Sequence, residues 1–160
     1  PIDEQRFLVN EINSVEESKY WASTAVVITY DDSDGWYDHQ APKVINGSSD
    51  TATDSAICTS VAVTIGSSND RCGYSQRLPL VVISPYTKTN YVSSNTTNTA
   101  SVVKFIEDNW LGGERIAGSF DKSSGSLDAK GGVLDFKVAP HDHKVILDPT
   151  TGAVVKGGNN

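Results

Sequence analysis

Apolar residues fall along this chain in two rhythms. Between residues 3 and 20, Leu8, Ile12 and Val15 recur at the i, i+4, i+7 spacing of one helix face, and Asp3 can cap the start. Residues 24–30, Thr-Ala-Val-Val-Ile-Thr-Tyr, then run without alternation as a β-branched stretch of the buried-strand type. Residues 78–85, Leu-Pro-Leu-Val-Val-Ile-Ser-Pro, form a second such stretch bracketed by prolines. Between the two, residues 40–76 read as loop with one short strand over 61–65. Thr97 or Asn98 can cap a second helix that runs to about Leu111, with Val102, Phe105, Ile106 and Trp110 on one face and Gly112-Gly113 as its stop. Residues 112–132 are rich in Gly and Ser and read as irregular. The end of the chain predicts a hairpin, with strands at 144–147 and 153–156 around Asp148-Pro149-Thr150-Thr151-Gly152.

Continuous apolar strands that alternate with helices predict an α/β fold, with a mostly parallel sheet flanked by helices. In such sheets ligands bind at the carboxyl ends of strands. Two core strands are too few for a free-standing doubly wound domain, and Pro1 stands inside a helix start. The chain therefore reads as part of a longer protein.

Chemistry concentrates just past the first strand. Residues 29–39, Thr-Tyr-Asp-Asp-Ser-Asp-Gly-Trp-Tyr-Asp-His, place Asp31, Asp32, Asp34, Asp38 and His39 within nine positions. Neighbours in a regular strand face opposite ways, so Asp31 and Asp32 reach one site only if the chain leaves the strand there. Ser33, Asp34 and Gly35 permit that turn. Two carboxylates held together repel, and a hard divalent cation between them relieves the conflict. Capping of a turn by one Asp, with the others solvated, accounts for the spacing equally well. An EF-hand loop does not fit, because Gly35 at its invariant glycine would make Tyr30 the first ligand and Ala41 the last.

The chain has 160 residues and a net charge of −7, which disfavours a nucleic-acid partner. No run of 18 apolar residues provides a membrane span. Cys58 and Cys72 are the only cysteines and lie far in sequence from any His, so a disulfide is the preferred reading over a metal site. It predicts an oxidising compartment, secreted or periplasmic, and the absence of Met agrees with that.

Three blocks together resemble the C-terminal part of the bacterial phosphoesterase family, which joins phospholipases C to related acid phosphatases. They are residues 29–39, then Arg71-Cys72-Gly73-Tyr74 with residues 77–86, then Phe105-Ile106-Glu107-Asp108-Asn109-Trp110. The resemblance covers most of residues 1–136. It implies an alkaline phosphatase-like fold and hydrolysis of a phosphate ester through a Ser or Thr nucleophile beside one divalent metal ion. It places metal ligands at Asp31 and Asp32, and it assigns the nucleophile and remaining ligands to an N-terminal portion absent from this chain. That N-terminal fragment is then a partner, and this chain alone is inactive. Asp-Asp-Ser-Asp-Gly at residues 31–35 is more similar to the acid phosphatase branch, with phospholipase C-type phosphodiester hydrolysis as the alternative. One departure stands out: the family's Asp-His pair before its last helix is Ser93-Ser94 here.

The remaining candidates divide between two roles. His39 either contacts a metal ligand or phosphate, or is structural. Asp34 shapes the turn, and Trp36 and Tyr37 pack beneath it. Arg71, Arg77 and Lys88 can reach phosphate, although Arg77 can equally pair with an acid. His141 and His143 have a metal-binding spacing but read as a surface loop. No Ser or Thr sits in a nucleophile elbow. A second function class, a secreted calcium-stabilised module without chemistry, remains open on the sequence.

Overall fold

The computed structural model describes residues 1–65 and 72–157. The chain divides into two compact units, one of Pro1–Ile28, Val81–Val92 and Val133–Asn160 and another of Thr29–Leu80 and Ser93–Gly132.

The first unit is built on helix α1, Ile2–Glu17, with Val9 and Glu16 buried. Pro1, not Asp3, occupies the N-cap position, and Asp3 and Glu4 lie in the first turn, where carboxylates complement the helix dipole. The helix stops short of residue 20 because Ser18 takes an extended backbone and its hydroxyl donates to the Val15 carbonyl at 2.8 Å. A 3-10 turn at Trp21–Ser23 then buries the Trp21 ring. Strand β1, Val26–Thr29, pairs with β2, Leu80–Ile83, and the Ser84 hydroxyl donates to the Thr24 carbonyl at 2.9 Å beside them. The two strands are half-buried rather than fully covered, and Val81 is exposed.

The C-terminal hairpin forms as its turn residues predict. Strand β3, Val145–Leu147, runs antiparallel to β4, Val154–Gly157, and the Asp148 carboxylate accepts the Thr150 and Thr151 amides between them. Side chains of α1 satisfy backbone groups of this segment. Asn13 donates to the Leu147 carbonyl at 2.8 Å and accepts its amide at 3.1 Å, and Glu16 accepts the Val145 amide at 2.7 Å.

In the second unit a four-residue helix α2, Ala56–Thr59, lies in what reads as loop. The strand expected over 61–65 does not form. There the Thr64 and Ile65 amides both donate to the side-chain oxygen of the fully buried Asn46, at 2.6 and 2.7 Å, so a side chain takes the place of a partner strand. The Cys58–Cys72 disulfide closes the same segment, and Asn46 bridges Gly73.

Helix α3, Ala100–Trp110, begins after Thr99 and ends where Gly112 and Gly113 take positive φ. Neither Thr97 nor Asn98 occupies its N-cap position; Asn98 instead accepts the Ser124 hydroxyl at 2.6 Å. Its buried residues are Ser101, Phe105 and Glu107, whereas Ile106 and Trp110 are exposed. The helix is rotated from the face its apolar residues predict because it packs on the polar 3-10 turn Asp121–Ser123, where Glu107 meets the buried Asp121. Among the described residues the architecture is mixed helix and sheet, with two sheets of two strands each.

Candidate metal-binding turn

Strand β1 ends at Thr29, and the chain turns immediately. Asp32 accepts the Asp34 amide on its carboxylate at 2.5 Å, and Trp36 donates to the Ser33 carbonyl at 2.8 Å. Asp34 and Gly35 carry φ of +46° and +75°, the left-handed pair a type I′ turn requires at its central positions. Gly supplies that conformation freely, and Asp tolerates it better than most residues. The result leaves Asp31 and Asp32 exposed at the strand's carboxyl end.

Asp38 has a different part. Its carboxylate accepts both Nε and a terminal nitrogen of Arg77, at 2.9 and 2.7 Å, as well as the Arg77 and Gln40 amides. The Arg77 guanidinium, followed by those amides, holds the Asp38 carboxyl far below the usual carboxylate range. The four acids are thus not one electronegative pool. Asp38 is neutralised, and its ion pair ties the end of the acidic loop to the segment leading into β2. Arg77 is engaged in that pair.

Trp36 and Tyr37 do not pack under the loop: they are 78% and 82% exposed. The turn lifts them away because positive φ at 34 and 35 reverses the chain before they can reach a core. His39 is exposed and meets the Tyr37 ring edge-on at 5.2 Å. Lys88 stands over the Tyr91 ring at 4.6 Å. Ser93 donates to the Gly131 carbonyl at 2.6 Å and accepts the Asn95 amide, a loop-fixing role that its sequence neighbours did not signal. Arg71 lies outside the described residues.

The donor chemistry of Asp31 and Asp32 suits a hard divalent ion, since both offer carboxylate oxygens on a short turn anchored to a strand. Their number does not complete a site. No group of three or more His, Cys, Asp or Glu able to hold a metal ion occurs among the described residues. The turn fits part of a ligand set, with further donors required from elsewhere.

Residues 1–111 match the sequence profile of the phosphoesterase family. A non-hemolytic phospholipase C of Burkholderia pseudomallei is 36% identical over 90 residues, covering 54% of this chain and 13% of that protein. Two Pseudomonas aeruginosa proteins match comparably. One is a hemolytic phospholipase C, 34% identical over 87 residues, with 54% of this chain and 12% of the relative aligned. The other is a non-hemolytic phospholipase C, 30% identical over 96 residues, with 54% and 14% covered. The chain therefore spans only a small fraction of the length of these relatives.

Proposed function

The chain belongs to the phosphoesterase family, and from that premise we propose that it is the C-terminal portion of a metal-dependent phosphoric ester hydrolase. In this reading Asp31 and Asp32 are two of the metal's ligands. The observation that carries it is the turn itself: residues of the matched region place two exposed carboxylates at the carboxyl end of β1. When bound, a divalent ion there supplies charge neutralisation for the phosphoryl oxygens and activation of the nucleophile.

This chain's own residues perform the positioning. The Asp34 amide orients Asp32, the left-handed pair at 34 and 35 returns the chain, and the Asp38–Arg77 ion pair holds the loop's far end. The Ser or Thr nucleophile and the remaining ligands come from an N-terminal portion of the enzyme. That portion also extends the β1–β2 pair into the larger, mostly parallel sheet of an alkaline phosphatase-like fold. Half-buried apolar strands and the exposed Val81 support such an extension. The Cys58–Cys72 disulfide supports a secreted or periplasmic location.

The alcohol portion of the substrate separates two versions. Asp-Asp-Ser-Asp-Gly at residues 31–35 favours an acid phosphatase acting on monoesters. The names of the three relatives favour phospholipase C-type cleavage of phosphodiesters. Assays of the complete enzyme on p-nitrophenyl phosphate and on p-nitrophenylphosphorylcholine decide between them. EDTA suppresses turnover in either case, and Asp32→Asn removes it. Undiminished hydrolysis by that variant overturns the ligand assignment, and no hydrolysis of either ester by the complete protein leaves only a binding module.

A further inference from the structure

His141 and His143 stand side by side near the start of the C-terminal hairpin, with ring centres 5.3 Å apart and planes inclined at 47°. The segment is fixed by the His141 amide, which donates to the Pro85 carbonyl at 3.0 Å. The His141 ring is fixed as well. Its Nε2 lies 3.1 Å from the Thr87 carbonyl oxygen, which can only accept, so Nε2 carries the proton. In the neutral ring Nδ1 is then a bare lone pair, and this atom is buried without a hydrogen-bond partner.

A buried basic nitrogen without a donor is an unfavourable arrangement in a chain folded without a ligand. It is the arrangement a metal-binding histidine needs. Ligating imidazoles generally donate their other ring nitrogen to a carbonyl or carboxylate, which sets the tautomer and raises the basicity of the ligating atom. Spacing agrees. Two imidazoles on one tetrahedral ion, each bound at about 2.0–2.1 Å, place their ring centres about 5.2 Å apart. His143 is exposed and free to turn its ring toward the shared position. No third His, Cys, Asp or Glu joins them among the described residues, so water fills the other positions.

We infer that His141 and His143 form a binding site for a divalent transition-metal cation of the zinc class, ligated through His141 Nδ1 and a ring nitrogen of His143. Imidazole donors select zinc-class ions over the hard, oxygen-preferring ions suited to the Asp31–Asp32 turn. Protons compete for the same nitrogens, so occupancy falls as pH falls.

The test is a titration of the protein with Zn²⁺ alone, followed by the imidazole ¹⁵N resonances. The chain has 3 histidines, so His39 serves as an internal control. The expected result is saturable movement of the His141 and His143 signals at one equivalent, with His39 unmoved. His143→Ala should weaken Zn²⁺ binding by more than about tenfold, the loss that removing even an outer hydrogen-bond partner of a metal ligand produces. Because His143 is exposed, that variant should keep the wild-type melting temperature without zinc. Movement of His143 alone, no response at either residue, or unchanged affinity in His143→Ala each overturns the site.

Discussion

At Gly47 an added Cβ would lie 1.7 Å from the Val61 carbonyl oxygen and 2.8 Å from that of Cys58. Both are backbone atoms and cannot rotate away. Gly47→Ala is therefore expected to lower stability by at least the 1–3 kcal/mol, roughly, that overpacking costs, read as a fall in the urea midpoint. A wild-type midpoint would mean that the segment shifts to make room. Asp34 is the opposite case. Its φ of +46° is a conformation glycine adopts without strain, and Gly35 beside it shows the turn accepts that residue. Asp34→Gly should keep EDTA-sensitive hydrolysis in the complete enzyme, whereas Asp32→Asn removes it. Equal loss in both variants would make Asp34 a ligand and not a turn residue.

Among the elements, α1 and the hairpin depend on polar side chains. Asn13 presents its amide to Leu147 as a neighbouring strand would, exchanging two hydrogen bonds with one residue. Asn13→Ala leaves both groups without their partner and should cost about 1–3 kcal/mol. Hydrogen exchange at the Leu147 amide should rise; unchanged protection would show that the hairpin stands without the helix. In α3 the matter is pH. Burial, and then the neighbouring Asp121, push the Glu107 carboxyl above its ordinary range, while Arg115 pulls it down and Asp108 adds to the push. Burial also pushes Asp121 up, but hydrogen bonds from the Ile116 and Lys122 amides, Ser119 and Glu107 together bring it below its ordinary range.

The two shifts act in opposite pH windows. A raised acid stabilises the fold while protonated, so the Glu107 contribution is complete below the ordinary Glu range of about 4.3. It disappears as pH rises through the folded value. The Asp121 contribution is present above about 3.9 and fades as pH falls. Mildly acidic conditions should thus be optimal. Glu107→Gln should flatten the decline in melting temperature toward neutral pH, leaving the decline due to Glu16, which burial also raises. An unaltered slope in that variant would remove Glu107 as the cause.

For the molecule as a whole, the disulfide closes a loop of 14 residues separation, whose Thr64 and Ile65 amides donate to Asn46. Loop-closure entropy of that length corresponds to about 3 kcal/mol. Cys72→Ser should lower unfolding free energy by that order, and reducing agent should do the same to the wild type but nothing further to the variant. Exposed Phe7, Tyr20, Trp110 and Val92 give the chain much uncovered apolar surface. In the proposed enzyme the N-terminal portion covers some of it. Native mass spectrometry of the two portions mixed should show a one-to-one complex, and separate species would count against that arrangement.

Local chemistry made part of this protein legible from its sequence. Helices α1 and α3, the two apolar strands, the turn at residues 33–36 and the hairpin follow from spacing, β-branching and glycine placement, which act over a few residues. The three blocks that resemble the family were legible for the same reason, since each is a short local stretch within residues 1–111. Tertiary structure decided what depends on partners far apart in the chain. It gave Asp38 to Arg77, 39 residues away, and Thr64 to Asn46, 18 residues away. It turned α3 toward Asp121 and left Trp36 and Tyr37 outside. Burial of a polar group requires a specific donor or acceptor to meet it, and no periodicity in the sequence encodes which distant residue that is.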